Sequence, residues 1–212
     1  MLGHQQVHSL YNHAKCVMAM KKPTGILYRN NVVSFEQQKD VVSFLRKLPK
    51  KTWQPNNRGR FPGKIRFRIG YGRINQGEMP DELKHLVPTI LESIKGSITD
   101  EEMKLFDVFK TNKSRVTINR YRKGAKLGAH KDPQEFKNAI VIGLTLCRKQ
   151  ETIRKMRFTQ KEGDKKHTHD IETSANSVYI FFGDAYYEWK HESVGSLKQK
   201  GTVYSLSFRA NC

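Results

Sequence analysis

Three residues carry the first chemical signal. His130 and Asp132 flank Lys131, and His191 follows 61 residues later in GDAYYEWKHES. Residues two apart on an extended strand point to the same face, so this imidazole and carboxylate can meet one metal ion. A second imidazole from a distant segment completes a facial set and leaves the opposite coordination positions open. Non-haem Fe(II) needs that arrangement, because co-substrate and dioxygen must both reach the metal. An H-x-D pair alone is a weak signal for which surface charge is the commoner reading; the residues around it give it meaning.

Ahead of the pair stand Asn119-Arg120-Tyr121 and Gly124-Ala125-Lys126-Leu127. After it come the apolar run 140–146, Gly183-Asp184 with Trp189 and His191, and finally Ser207-Phe208-Arg209. In this order and spacing the chain resembles the AlkB family of Fe(II)- and 2-oxoglutarate-dependent dioxygenases. Two N-terminal stretches extend the likeness. GILYRNNVVSFEQQKDVVSFLRKLP resembles the family's opening strand and helix, and IGYGRINQGEMPDELKHL its nucleotide-recognition region. About residues 24–209 are covered.

The resemblance implies roles residue by residue. His130, Asp132 and His191 become the iron ligands and catalytic centre. Asn119 and Tyr121, on one strand face, contact 2-oxoglutarate, and Arg209 stands beside Asp132 and the co-substrate's metal-binding end. The cofactors implied are Fe(II), 2-oxoglutarate and O2. The reaction implied couples decarboxylation of 2-oxoglutarate, giving succinate and CO2, to hydroxylation of an N-methyl group; the product collapses to formaldehyde and unmodified base.

One position departs from the pattern. The family carries an arginine six residues before the one matched by Arg209, and it grips the distal carboxylate of 2-oxoglutarate; here that residue is Val203. A buried carboxylate without a cation is costly unless other donors replace it. Arg148, Lys149, Lys198 and Lys200 are candidate substitutes. Tyr121 with Ser205 could suffice at weaker affinity, or the co-substrate could be altered or lost.

Elements that must position these groups are legible in the periodicity. ILYRNNVV reads as a strand; Ser34 and Gln37 resemble a capping box. Val41, Phe44, Leu45 and Leu48 then recur at helical spacing up to Pro49. A second helix is expected from Pro80, with Leu83, Leu86, Val87, Ile90, Leu91 and Ile94 on its apolar face. Beyond residue 114, RVTINRY, LGAHKD, AIVIGLTLC, SVYIFF and TVYSLSF read as short strands between turn residues. The charged stretch 148–170, with His167 and His169, reads as a solvated loop or hairpin. The pattern predicts an α+β fold with N-terminal helices supporting a β-sandwich or jelly roll, and the resemblance implies that it is a double-stranded β-helix with a nucleotide-recognition lid. Residues 1–22 form an extension and 23–212 the oxygenase domain.

Charge bears on the substrate. The 212 residues carry 39 Lys+Arg against 20 Asp+Glu, a net +19. Such an excess favours a polyanionic partner, because neutralised phosphates release counterions. Between residues 41 and 77 there is no acidic side chain but there are ten basic ones, interleaved with Trp53, Phe61, Phe67 and Tyr71. Cations for phosphates and aromatic faces for an extruded base are what an enzyme acting on nucleic-acid bases requires. Trp53, Arg66, Arg68, Tyr71, Gln134 and Glu135 are the expected substrate contacts, with Tyr71 foremost. The partner expected is DNA or RNA presenting an extruded or single-stranded base. A catalytically silent nucleic-acid-binding module, or an oxygenase of the same chemistry acting on protein, are the alternatives. No apolar run spans a membrane, no secretory signal stands at the N-terminus, and Cys16, Cys147 and Cys212 form neither disulfide framework nor zinc pattern. An intracellular monomer follows as the expectation.

Overall fold

The structure, a computed structural model, describes residues 21–56, 66–72, 77–110, 114–134, 139–148, 153–196 and 198–210. Strand β1 (Ile26–Asn30) leads into helix α1 (Phe35–Lys47), then β2 (Gln54–Asn56) and β3 (Arg66–Tyr71). Helices α2 (Asp81–Lys84), α3 (Leu86–Ile94) and α4 (Asp100–Lys104) follow. Next come β4 (Arg115–Tyr121), β5 (Leu127–His130), β6 (Ile140–Cys147), β7 (Arg154–Glu162), β8 (Lys165–Thr173) and β9 (Ser177–Phe181). Helix α5 (Gly183–Tyr187), β10 (Lys190–Val194) and β11 (Val203–Ala210) complete the chain.

Strands β4 to β11 distribute between two antiparallel sheets, which makes the double-stranded β-helix. The major sheet runs β1-β9-β6-β11-β4-β3-β2 and the minor one β5-β10-β7-β8. Every residue of β6 is buried, because helices cover one face of the major sheet and the minor sheet covers the other. Helix α1 starts at the expected capping box: Ser34 Oγ accepts from the Gln37 N–H and the Gln37 side chain accepts from the Ser34 N–H. Its residues Val41, Val42 and Leu45 pack with Leu86, Ile90, Ile118, Leu144, Leu206 and Phe208 into the core behind the major sheet. The helix expected from Pro80 is interrupted at His85. Pro88 has no N–H to give the carbonyl of Lys84, so α3 begins afresh with the proline in its first turn.

Strand alternation sorts side chains between that helix-covered face and the lumen of the sandwich. In β11, Tyr204, Leu206 and Phe208 join the helix-side core. Val203, Ser205, Ser207 and Arg209 face the lumen. Register carries the same division across the sheet: Ser205 opposes Asn119 and Thr145, and Val203 opposes Tyr121 and Cys147. A second apolar cluster (Val141, Phe158, Tyr179, Phe181, Trp189) fills one part of the lumen. The residues expected to bind metal and co-substrate line another.

The stretch read as a solvated loop or hairpin is the β7–β8 hairpin. Its outer face is ionic, with Arg157 Nε donating to Asp170 Oδ1 at 2.8 Å. Its inner face is buried at Arg154, Met156 and Phe158. Most of residues 1–22 lie outside the described residues. So does much of the segment expected to form the lid, including Phe61.

Candidate metal centre

His130 ends β5, and Asp132 lies just past it. His191 sits in β10, directly opposite His130 on one side and Phe158 on the other. One donor atom from each of the three residues can be chosen so that all lie within 4.8 Å of one another. His130 Nε2 is 3.8 Å from Asp132 Oδ1, and the two imidazole centroids are 4.4 Å apart. The chain thus brings together the three groups whose spacing first suggested a metal.

Neighbouring contacts prepare each donor. The His130 Nδ1–H donates to the Gly128 carbonyl at 2.9 Å. A carbonyl can only accept, so the proton belongs on Nδ1 and the Nε2 lone pair points at the shared centre. Arg209 Nε and Nη2 both donate to Asp132 Oδ2, at 2.9 and 2.8 Å. Holding Oδ2 from behind leaves Oδ1 on the His130 side. Burial pushes the Asp132 carboxyl up, but Arg209, His191 and His130 outweigh it and hold the group below its ordinary value. Burial pushes His191 down to about 3, so its imidazole is the neutral, ligating form at physiological pH. Phe181 and Phe158 stand 4.7 and 6.3 Å from the His191 ring and shield that side from water.

This donor set fits iron. Two neutral imidazoles and one carboxylate are the ligands of the facial arrangement. His191 is 3% exposed, and its buried Nδ1 has no hydrogen-bond partner among the described residues. His130 is the only one of the three that is not buried, which puts it at the mouth.

The surrounding groups divide by sheet face. Asn119, Tyr121 and Ser205 are all buried on the lumen side. Arg68 opposes Asn119 in register and so shares its face. Gln134 is exposed beside the site, donating to the Asp132 carbonyl at 2.9 Å. The Arg66 side chain and Glu135 lie outside the described residues.

Two expected contacts do not reach the site. Tyr71 opposes Val116, and that parity directs it to the helix-covered face, packed against the core there. Trp53 is 3% exposed in the same core, with Tyr204 at 6.0 Å and the Arg120 guanidinium 4.6 Å above its ring. Both aromatics are structural, because strand alternation sends Arg120 away from Asn119 and Tyr121.

Three of the four substitutes considered for the missing cation also fall away. Arg148, Lys198 and Lys200 are exposed, and Lys149 is outside the described residues. Sequence reading missed the buried cation that does enter the lumen, Arg154. Its Nη1 donates to Gln199 Oε1 at 2.6 Å, and its Nη2 to the Ala125 carbonyl at 2.9 Å and Ser193 Oγ at 3.1 Å. Its guanidinium lies 4.1 Å from the centre of the Tyr121 ring. Burial pushes it below its ordinary value while Tyr121 and Tyr179 oppose that shift. The available signal was R-x-M-x-F, an arginine in phase with two apolar residues of one strand face. Tyr179 was missed as well. Its hydroxyl, 3.5 Å from Ser205 Oγ and pushed by burial up to about 12, keeps its proton at neutral pH.

Comparisons with known proteins agree with this geometry. The model of the 2OG-Fe(II) oxygenase superfamily matches residues 70–209. The solved structure of OsALKBH1 has a TM-score of 0.60 at 15% identity, over 89% of this chain and 99% of that one. A Pseudomonas putida prolyl-4-hydroxylase gives 0.59 at 12% identity, over 88% and 92%. The α-ketoglutarate-dependent epimerase SnoN of nogalamycin biosynthesis gives 0.57 at 9% identity, over 88% and 78%. A search of curated proteins finds no match. The three structures share the fold of this chain, and the family match covers the segment that holds all three donors and the lumen-facing strands. The chain belongs to the 2OG-Fe(II) oxygenase superfamily, with Fe(II), 2-oxoglutarate and O2 as its reactive partners.

Proposed function

We propose that the chain oxidatively removes N-linked methyl groups from bases of DNA or RNA. Bound iron supplies the oxidising power, drawn from O2 and 2-oxoglutarate. His130, Asp132 and His191 hold the metal on one side, and Arg209 fixes Asp132 so that one oxygen faces it. Asn119, Tyr121 and Ser205 line the co-substrate side. Phe158 and Phe181 keep water from the buried flank.

The observation that carries the choice of substrate is the charge. A surplus of 19 positive charges favours a polyanion, and β3 sets Arg68 on the face of Asn119. The likeness in fold to OsALKBH1 agrees with this reading. Gln134, at the mouth, is the described side chain best placed to meet a base.

Incubation with Fe(II), 2-oxoglutarate and methylated oligonucleotides should yield formaldehyde and succinate in equal amounts. Oligonucleotide affinity should fall steeply between low and physiological salt. Succinate formation without turnover on any methylated base, single- or double-stranded, would refute the substrate and leave the oxygenase standing. A second reading, hydroxylation of a protein side chain, is favoured by the overlay on a prolyl-4-hydroxylase. It calls for peptide turnover and salt-insensitive substrate binding.

A further inference from the structure

We infer that Arg154 is the cation that grips the distal carboxylate of 2-oxoglutarate in this chain, taking over from β7 the role Val203 cannot perform on β11. The inference rests on the co-substrate of the superfamily and not on the nucleic-acid substrate.

Burial and chemistry come first. Arg154 is 3% exposed, and no described ion pair includes it. Its fork has five N–H donors, and those bonded reach three neutral oxygens: Ser193 Oγ, Gln199 Oε1 and the Ala125 carbonyl. A guanidinium taken from water with only neutral partners bears a desolvation cost that an anion would offset. The protein also fixes its orientation. Gln199 points its amide oxygen at Nη1 because its Nε2 is already donating to the carbonyls of Tyr121 and Gly201, at 3.0 and 2.8 Å. Four of the five N–H groups are engaged in these bonds and one on Nη1 is left over, so a planar cation is held in place before a carboxylate arrives to accept from it.

Position comes second. β10 carries His191 and, two residues on, Ser193; these face the lumen together, opposite Phe158 and Met156 of β7. Two strand residues span about 7 Å, and Ser193 Oγ is 3.1 Å from Arg154 Nη2. The cation therefore lies one strand repeat deeper than the metal donors, along the same wall. A short dicarboxylate with its keto-acid end at the metal directs its other end there. Val203 accounts for the room. It opposes Tyr121 in register, and the Arg154 guanidinium covers the Tyr121 ring. A long side chain at 203 would compete for that space; valine leaves it to Arg154.

The test is binding to anaerobic, Mn(II)-loaded protein without nucleic acid, so its failure is distinct from failure of the substrate reading. 2-Oxoglutarate is compared with 2-oxopentanoate, which keeps the keto-acid end and replaces the distal carboxylate with a methyl group. The wild type should prefer 2-oxoglutarate on the order of 100-fold, the effect of a buried charge-assisted contact. Arg154→Met and Arg154→Gln should bring the two ligands to within about threefold, by weakening 2-oxoglutarate alone, with Mn(II) affinity unchanged. The Gln variant retains hydrogen-bonding groups for Ser193 and Ala125, so it serves if the Met variant does not fold. A wild type that binds both ligands alike would overturn the assignment. So would a folded variant that keeps the preference, or one that loses both ligands and Mn(II) together.

Discussion

Gly143 makes a severe steric test of how the lumen is built. It lies in β6 opposite Tyr179, and the tyrosine ring lies across it to bring its hydroxyl to Ser205. A Cβ at 143 would stand 2.1 Å from Tyr179 Cζ and 2.3 Å from Cε2. Carbon atoms pack at roughly 3.5–4.0 Å, so Gly143→Ala forces the ring back by about 1.5 Å. Little room exists for that retreat: Tyr179 stacks on Phe181 at 6.3 Å, and Tyr28 faces it from β1. Overpacking of this kind costs about 1–3 kcal/mol. In a chain of this size each kcal/mol lowers Tm by roughly 2–4 °C, so a drop of about 2–12 °C is expected. Affinity for 2-oxoglutarate should fall too, because the displaced hydroxyl leaves Ser205. Tyr179→Ala removes the obstacle, so the double variant should be more stable than the sum of the single losses predicts, by about 1–3 kcal/mol. Thermal melts of the four proteins measure this. A Gly143→Ala melt within 1 °C of wild type, or strictly additive losses, would refute the packing argument (the 1 °C bound being roughly half the smallest expected shift).

Four further outcomes are expected. His130→Ala and Asp132→Ala should abolish 2-oxoglutarate turnover and leave oligonucleotide affinity within about twofold, since phosphate contacts dominate that affinity; parallel activity and binding titrations decide it. Arg120→Ala removes a cation 4.6 Å from both the Trp53 and Phe67 rings and should cost about 1–3 kcal/mol in denaturant melts, with 2-oxoglutarate affinity unchanged. Asp170 is held below its ordinary value, first by the hydrogen bond from Arg157. The unfolded carboxyl therefore takes up its proton first as pH falls, so the stabilisation is full at neutral pH and is lost as pH drops through the depressed folded value. Asp170→Asn should cost at most about 1 kcal/mol at pH 7, and melts taken through the acid range should show the two proteins converging. Arg68→Ala should weaken oligonucleotide binding and reduce the salt slope by about 1, whereas Tyr71→Phe should leave turnover unchanged.

The metal triad was legible because strand geometry turns spacing into direction. An H-x-D pair at a strand end needs only one distant imidazole, and the register His130 opposite His191 delivers it. Asn119 and Tyr121 were legible for the same reason: two apart on β4, both in the lumen. Arg154 escaped because composition hides parity. In RKMRFTQKE the basic residues look alike, yet Lys155 and Arg157 meet Asp170 on the outer face while Arg154 turns inward with Met156 and Phe158. The break at His85 has its cause in Pro88, a residue of the expected apolar helix whose missing N–H no periodicity registers.

Trp53 and Tyr71 show how a true compositional signal can be assigned to the wrong face. Strand β3 reads RFRIGY, alternating cations with large apolar residues. Taken as a line of text, that interleaving resembles a nucleic-acid groove with its own stacking platforms. Folded, it is an ordinary two-faced strand: Phe67, Ile69 and Tyr71 complete the core under the helices, and Arg68 stays with Asn119. The same alternation that removes the aromatics from the site places the charge beside it. Aromatic burial and the placement of Arg68 on the face of Asn119 are then two consequences of a single register, and any attraction β3 offers a polyanionic substrate comes without a stacking contribution. A flipped base would have to find its partners on the other side of the mouth, where Gln134 stands next to Asp132 and the half-buried His130.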